Sequence, residues 1–307
     1  MKPKSSSFIP QSTWRAREQT HREELAPITT SYRQRKARGT LHPVHDFLFS
    51  YYSYTAGKLE QWHPSLSETL QVDPSSQPSE PRHFRQKHYH RQENQLTLNP
   101  SHLQPKEIER FRFARRLLEK TAHRPANFGC YGLHEWAMVY QSDNPRHRER
   151  APLRLSMEKI TDFVNGQTLA CSHFDAVRFF TPAAQPRNRL QPTLLTREDH
   201  EQPGCIHANM DLYKWTFKAM PWLGSDLLRA TFFLALELRE LDMRASPYDL
   251  SSYGYEPIAI ETPAGRAEYV HHQQHLAHKA ETLRFQILHS FDSLIEQVTI
   301  PSPIPST

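Results

Sequence analysis

Four segments of the sequence place a histidine beside a carboxylate inside an otherwise apolar or aromatic stretch. The pairs are His45 with Asp46, His134 with Glu135, His173 with Asp175, and His207 with Asp211. A buried charge without a partner is costly, so each pair by itself can be a structural hydrogen bond between its two members. Four such pairs in one chain favour a shared polar centre instead.

One use of such a centre is metal binding, because histidine nitrogen and carboxylate oxygen are common ligands of zinc and non-haem iron. On a helix, His207 and Asp211 would face the same side. On a strand, His173 and Asp175 would share one face, a spacing that also occurs in oxygenase facial triads completed by a distant histidine. The predicted ligands of iron or zinc are His45, His134, His173, Asp175, His207 and Asp211, with Glu135 as a further oxygen donor.

The three cysteines allow a variant of this site. They stand near the histidines as Cys130 four residues before His134, Cys171-x-His173 and Cys205-x-His207. Three thiolates and a histidine would make a structural zinc site. The sequence has no C-x-x-C pair, and cysteine is among the most frequently buried residue types, so burial in the core also explains these positions.

The other use of the centre is acid–base chemistry without a metal. Glu135 lies between His134 and Trp136, and a carboxylate among aromatic rings can have a raised pKa and activate water. Aromatic rings can hold a planar base, and arginine binds carboxylate or phosphate through its planar fork. The catalytic candidates are Glu135, His134, Asp175 and Asp211, and the substrate-binding candidates are Tyr131, Trp136, Tyr140, Arg239 and Arg244.

The elements that position these residues are predicted to be mainly helices. Helices are expected over 13–38 with an interruption near Pro27, over about 105–121, from Leu133 within 127–140, within 202–220 after a loop, over about 223–243, and from Pro263 to about Gln297. Strand-like runs are PLRLS, TLACSHF and EPIAIE. The predicted fold class is therefore mainly α with a few short strands (α+β), as a single domain with an extended N-terminal arm and a polar surface excursion.

The domain is expected to cover residues 13–297, with an extended tail at 1–12, a second tail at 298–307 and a polar, proline-bearing loop at 73–105. A net charge of +5 permits an anionic partner such as DNA. Three cysteines without short spacing fit a reducing, cytoplasmic compartment. The sequence lacks a signal peptide, a membrane-spanning run and the glycine-rich motifs that bind nucleotides. We therefore expect no membrane partner and no nucleotide cofactor.

Several blocks of the sequence resemble a bacterial family of about this length that carries the label 3-methyladenine DNA glycosylase. They are KSSSFIPQSTW, HPVHDFLFSYYSY, NFGCYGLHEWAMVY, CSHFDAVRFF, EQPGCIHANMDLYKW and the stretch from ELDMRASPYDL to GRAEYV. The resemblance covers nearly the whole chain except residues 70–105. It implies excision of an alkylated purine by base flipping and hydrolysis of the N-glycosidic bond, without a cofactor. Pro203-Gly204 lacks the second glycine of the helix-hairpin-helix glycosylases, so Asp226 does not inherit their catalytic aspartate.

Three functions follow as hypotheses. The first is a DNA glycosylase in which Glu135 activates water, with Asp175 or Asp211 as alternatives, while Tyr131 and its aromatic neighbours hold the base. The second is an iron- or zinc-dependent hydrolase or oxygenase that acts on a small molecule. The third is a nucleic-acid-binding repair accessory without turnover, whose affinity would depend steeply on salt.

Overall fold

The computed structural model describes residues 7–73, 75, 80–143 and 151–299. These residues form a mainly helical structure with one small sheet, which confirms the predicted fold class. The helices are α1 Gln11–Arg38, α2 Phe47–Tyr51, α3 Ala56–Leu59, α4 Pro105–Ala122, α5 Leu133–Ala137, α6 Met157–Asn165, α7 Phe174–Val177, α8 Arg197–His200, α9 Ile206–Lys218, α10 Ser225–Arg244 and α11 Pro263–Thr299. The strands are β1 Ser7–Ile9, β2 Glu68–Gln71, β3 Tyr89–Gln92 and β4 Gln95–Leu98.

The four strands form one sheet in the order β1-β2-β4-β3, in which β1 runs parallel to β2 and the other neighbours are antiparallel. The prediction of a polar loop over the whole range 73–105 is wrong, because strands β3 and β4 form a hairpin within it. The physical reason is the alternation of Leu96 and Leu98, which bury their side chains on one face of the hairpin. The tail predicted at 1–12 likewise contributes β1 and the start of α1, while residues 1–6 lie outside the described part of the chain.

The three strand-like runs of the sequence are not strands. PLRLS and TLACSHF each make one isolated bridge, Leu153 to Tyr248 and Leu169 to Asn188, and EPIAIE is irregular. In the last run Ile258 and Ile260 are both buried. The alternation of apolar residues therefore reflects packing against helices, and no strand among the described residues pairs with this run. His173 and Asp175 consequently lie at the start of α7 rather than on one face of a strand.

Helix α1 is continuous through Pro27, which corrects the predicted interruption. Its buried positions Trp14, Leu25 and Thr29 recur on one side of the helix on both sides of the proline, and this packing offsets the backbone hydrogen bond that proline cannot donate. At the other end of the chain, α11 continues to Thr299, beyond the predicted Gln297. The remainder of the predicted tail, 300–307, lies outside the described residues.

Helix α10 is the centre of the helical part and packs against α9, α11 and α1, while α11 also packs against α4. Gly132 directs the chain into α5 with φ of +68°, and a Cβ there would lie 3.2 Å from the ring of Tyr269 in α11. Glycine is therefore required where the loop approaches α11. Among the described residues, no helix combines the length and apolar character needed to cross a bilayer.

Candidate active site

The histidine and carboxylate segments converge on one cavity of about 260 Å³. Its wall includes seven of the predicted site residues and also Asp242; the seven are His134, Glu135, His173, Asp175, His207, Asp211 and Arg239. Loops and short helices α5 and α7 supply one part of this wall, and the long helices α9 and α10 supply the other. The two members of α9, His207 and Asp211, both face the cavity, as their spacing of four residues predicts.

His134, His207 and Asp242 form the first of two polar groups in the cavity wall. Each offers a ligand atom, and these atoms lie within 4.8 Å of one another. The imidazole rings of His134 and His207 have centroids 4.4 Å apart, and Nε2 of His207 is 3.8 Å from Oδ2 of Asp242. Because the three residues belong to α5, α9 and α10, the packing of three separate helices creates the group.

A buried guanidinium joins two carboxyl groups beside this cluster. Nη1 of Arg239 donates to Glu135 at 2.6 Å and to Asp242 at 2.8 Å. All three side chains are buried, and Arg239 and Asp242 are neighbours on α10 at a spacing of three residues. Burial, together with the adjacent carboxyl of Glu135, raises the pKa of Asp242 well above its usual range despite the guanidinium.

Burial lowers the pKa of His207 well below its ordinary value, and the neighbouring His134, His173 and Arg239 add to the effect. Its imidazole is therefore neutral at physiological pH and keeps a lone pair on one ring nitrogen. A neutral imidazole is the form that binds a metal ion or accepts a proton.

Asp211 is the centre of the second polar group. Its carboxylate accepts hydrogen bonds from the hydroxyl of Tyr52 at 3.0 Å and from Nζ of Lys214 at 2.7 Å, and it lies 3.3 Å from Nε2 of His173. Burial alone would raise the pKa of Asp211, but Lys214 and His173 hold it well below its usual range. With Nε2 directed at Asp211, the buried Nδ1 of His173 has no hydrogen-bond partner among the described residues.

The second group, His173 with Asp175 and Asp211, also brings its ligand atoms within 4.8 Å of one another. Its negative charge is already compensated, because Nζ of Lys214 lies 2.9 Å from Asp175 and 2.7 Å from Asp211. A second buried cation, Arg197, lies 3.3 Å from Asp211. Burial would lower the pKa of Lys214, but the two carboxylates raise it, so the ammonium stays charged. In the second group Lys214 bonds to both carboxylates of the set, whereas in the first group Arg239 bonds to Asp242 alone of the three residues. A metal ion would therefore displace fewer ion pairs in the first group.

Other predicted residues do not line this cavity. Trp136 is fully buried, and its Nε1 donates to the carbonyl of Ala245 at 2.8 Å. Tyr140 is bonded through its hydroxyl to Asn165. Tyr131 and Arg244 are likewise absent from the wall, and His45 bonds to Tyr255. The rings in the wall are instead those of Phe47, Tyr51, Tyr52 and Phe179.

The cysteines do not form the thiolate variant. Within the described residues, neither group with metal-ligand spacing includes a cysteine, and Cys130 and Cys171 contact each other with their Sγ atoms 3.8 Å apart. Sequence reasoning did not include Asp242 among the metal ligands, and it missed Lys214, Arg197 and Tyr52. The one local signal was the spacing of three residues between Arg239 and Asp242 on an evident helix.

No protein-family model matches the chain, and neither a curated protein nor a solved structure matches it. The resemblance of its sequence blocks to the glycosylase-labelled family stays a prediction.

Proposed function

We propose that this chain is a metalloenzyme that hydrolyses or oxygenates a small molecule, with an iron or zinc ion held by His134, His207 and Asp242. The observation that supports this proposal is the convergence of two imidazoles and one carboxylate, from three different helices, in the wall of one cavity. Two histidines with one carboxylate are the ligand set of non-haem iron oxygenases and of many zinc hydrolases.

The donor atoms fit such an ion. His207 is held neutral by burial, as a ligand must be. The buried carboxyl of Asp242 lies against that of Glu135, and the guanidinium of Arg239 forms an ion pair with both carboxyls. A carboxyl of raised pKa that shares one guanidinium with a second carboxyl is a place where a further cation is favoured. When bound, the ion would activate water or dioxygen at the position that the protein leaves open.

The residues around the ligands would prepare the cavity for the reaction. His173 lines the cavity, and Asp211 orients its imidazole through Nε2. Arg239 holds the carboxylate of Glu135 in a fixed position. Apolar and aromatic side chains, with Phe47, Met138 and Phe179 among them, line a cavity whose size suits a small molecule.

Elemental analysis of protein purified without a histidine tag tests this proposal. We expect near-stoichiometric iron or zinc in the unaltered protein, and loss of that metal in His134→Ala and His207→Ala. His278→Ala is the matched control, because His278 on α11 is largely exposed and should leave the metal content unchanged. The proposal fails if folded protein holds no metal and takes up neither ion when it is added back.

The identity of the retained metal separates the two reaction types. Iron(II) with open positions would indicate oxygenation, which can be followed as dioxygen uptake with candidate substrates. Zinc would indicate hydrolysis through a bound water of lowered pKa. Equal metal loss in Asp242→Asn and in the histidine variants would support a shared site, whereas metal retention in Asp242→Asn would remove that residue from the ligand set.

A second candidate is excision of an alkylated base from DNA. The observation that favours it is the carboxyl pair of Glu135 and Asp242, with the raised pKa of Asp242, in a cavity of about 260 Å³. Such a pair could activate water with one member and donate a proton with the other. Release of 3-methyladenine from methylated DNA, insensitive to chelator and lost in Glu135→Gln, would support this function over the metalloenzyme. Salt-dependent DNA binding without release would instead support the accessory role.

A further inference from the structure

Two cysteine thiols lie in contact behind the cavity. The Sγ atoms of Cys130 and Cys171 are 3.8 Å apart, although the residues are separated by 41 positions in the sequence. Cys130 is half-buried in the turn that precedes α5, and Cys171 is buried in the segment that leads into α7. Neither residue belongs to the ligand set proposed above.

The environment of Cys130 suits it to react first. A hydrogen bond from the Cys171 thiol lowers the pKa of Cys130 against the opposing effect of burial, and backbone N–H groups of Gly132 and Leu133 act in the same direction. The thiolate is the form of cysteine that reacts with oxidants. Cys130 also retains partial exposure, whereas Cys171 and Cys205 are buried.

We infer that Cys130 and Cys171 are a reversible redox pair that forms a disulfide when the protein meets hydrogen peroxide. In the first step the sulfur of Cys130 attacks the peroxide, so the O–O bond breaks, a sulfenic acid forms and water leaves. In the second step the sulfur of Cys171 attacks the sulfenic sulfur, the S–S bond forms and a second water leaves. The two thiols are oxidised by two electrons in total, and the peroxide is reduced to two waters.

The bridge would connect two segments of the cavity wall. A disulfide requires its sulfur atoms to be about 2 Å apart, so the present separation of 3.8 Å must close by rotation of the two side chains, by movement of their segments, or by both. His134 follows Cys130 by four residues, and His173 follows Cys171 by two. If the proposed metal site is correct, we expect oxidation to displace His134 and weaken metal binding, at least tenfold. The bridge itself does not depend on that proposal.

Titration of the reduced protein with stoichiometric hydrogen peroxide tests the inference. We expect the accessible thiol count after denaturation to fall from the three cysteines of the chain to one. A non-reducing digest should contain one linked pair of peptides, carrying Cys130 and Cys171, and dithiothreitol should restore all the thiols. Cys205→Ser should form the same bridge, so that its count falls from two thiols to none. Cys171→Ser should stop at a sulfenic acid on Cys130 that a dimedone probe labels.

Two results would overturn the inference. One is three free thiols after peroxide treatment that does oxidise the partly exposed Met157 and Met220. The other is a bridge that involves Cys205 or joins two chains. Peptide mapping reads the disulfide without metal or activity, so a metal-free protein that still forms the bridge would contradict the proposed function alone. Metal content measured before and after oxidation then tests the coupling between the two.

Discussion

Replacement of Arg239 by methionine would measure how much the buried guanidinium stabilises the two carboxyl groups in the cavity wall. Arg239 is 2% exposed, and its Nη1 bonds to Glu135 and to Asp242. Its guanidinium also lies 3.9 Å from the ring centre of Phe47. Methionine has a similar volume without the charge, so the Arg239→Met variant keeps most of the packing and leaves two buried carboxyls facing each other.

The magnitude follows from the burial of all three groups. Loss of one partner from a buried ion pair costs about 3–5 kcal/mol of unfolding free energy, because the remaining charge stays desolvated. An unfolding entropy of about 2.1 cal/mol/K per residue over 307 residues converts this cost to a decrease in Tm of roughly 5–8 °C. Part of the cost can be avoided by protonation of the carboxyl pair, which the raised pKa of Asp242 already favours.

Thermal unfolding in the presence of EDTA measures the effect. Arg244→Met is the matched control, since Arg244 lies on the same helix and bonds to the carbonyl of Glu256 near the surface, and it should change Tm by less than about 2 °C. The double variant Arg239→Met/Asp242→Asn should recover part of the lost stability, because only one carboxyl remains. A Tm of Arg239→Met within 2 °C of the unaltered protein, or no recovery in the double variant, would refute the reasoning. Added zinc should stabilise Arg239→Met more than the unaltered protein if a metal binds beside these carboxyls.

Three further predictions concern groups around the site and far from it. Tyr52→Phe removes the hydrogen bond to Asp211 and should cost about 1.5–3 kcal/mol in urea unfolding, whereas an unchanged midpoint would mean that the bond contributes nothing. Trp136→Phe removes the bond to the carbonyl of Ala245 and should cost about 1–3 kcal/mol without changing metal content; metal loss would contradict its placement outside the cavity. Burial lowers the pKa of His63 well below 6.5, so the unfolded chain binds a proton there as pH falls below 6.5 while the folded chain does not. The contribution of His63 to the free energy of unfolding should therefore decrease on acidification by up to about 1.4 kcal/mol per pH unit. His63→Gln should reduce this dependence of stability on pH, as measured by urea unfolding at several pH values. The groups around His63 are His21, His83, His88 and Tyr89.

The helices could be predicted from the sequence because their signals are local. Pro105 and Pro263 begin α4 and α11 as their fixed φ favours, and Ser246-Pro247 follows the end of α10. The strands could not be predicted, because a strand is defined by its partner. The run EPIAIE has the apolar alternation of a strand but packs beside helices. Strand β1 has only three residues and pairs with a segment some sixty positions away.

In the candidate site, too, the local sequence predicted some contacts and not others, and the single helix α5 shows why. His134, Glu135 and Trp136 are consecutive in α5, and successive side chains on a helix diverge by about 100°. His134 and Glu135 therefore reach the cavity while Trp136 points to Ala245 on the other side, so adjacency in sequence wrongly suggested a ring beside the carboxylate. The partners of Glu135 come instead from α10, with Arg239 lying 104 residues further along the chain. Asp242 joins them because it lies one turn beyond Arg239 on the face of α10 that packs against α9, where His207 already stands. The same helix packing therefore places the carboxylate beside the imidazole and the guanidinium beside both carboxyls, so a substitution that shifts α9 against α10 should disturb metal binding and stability together.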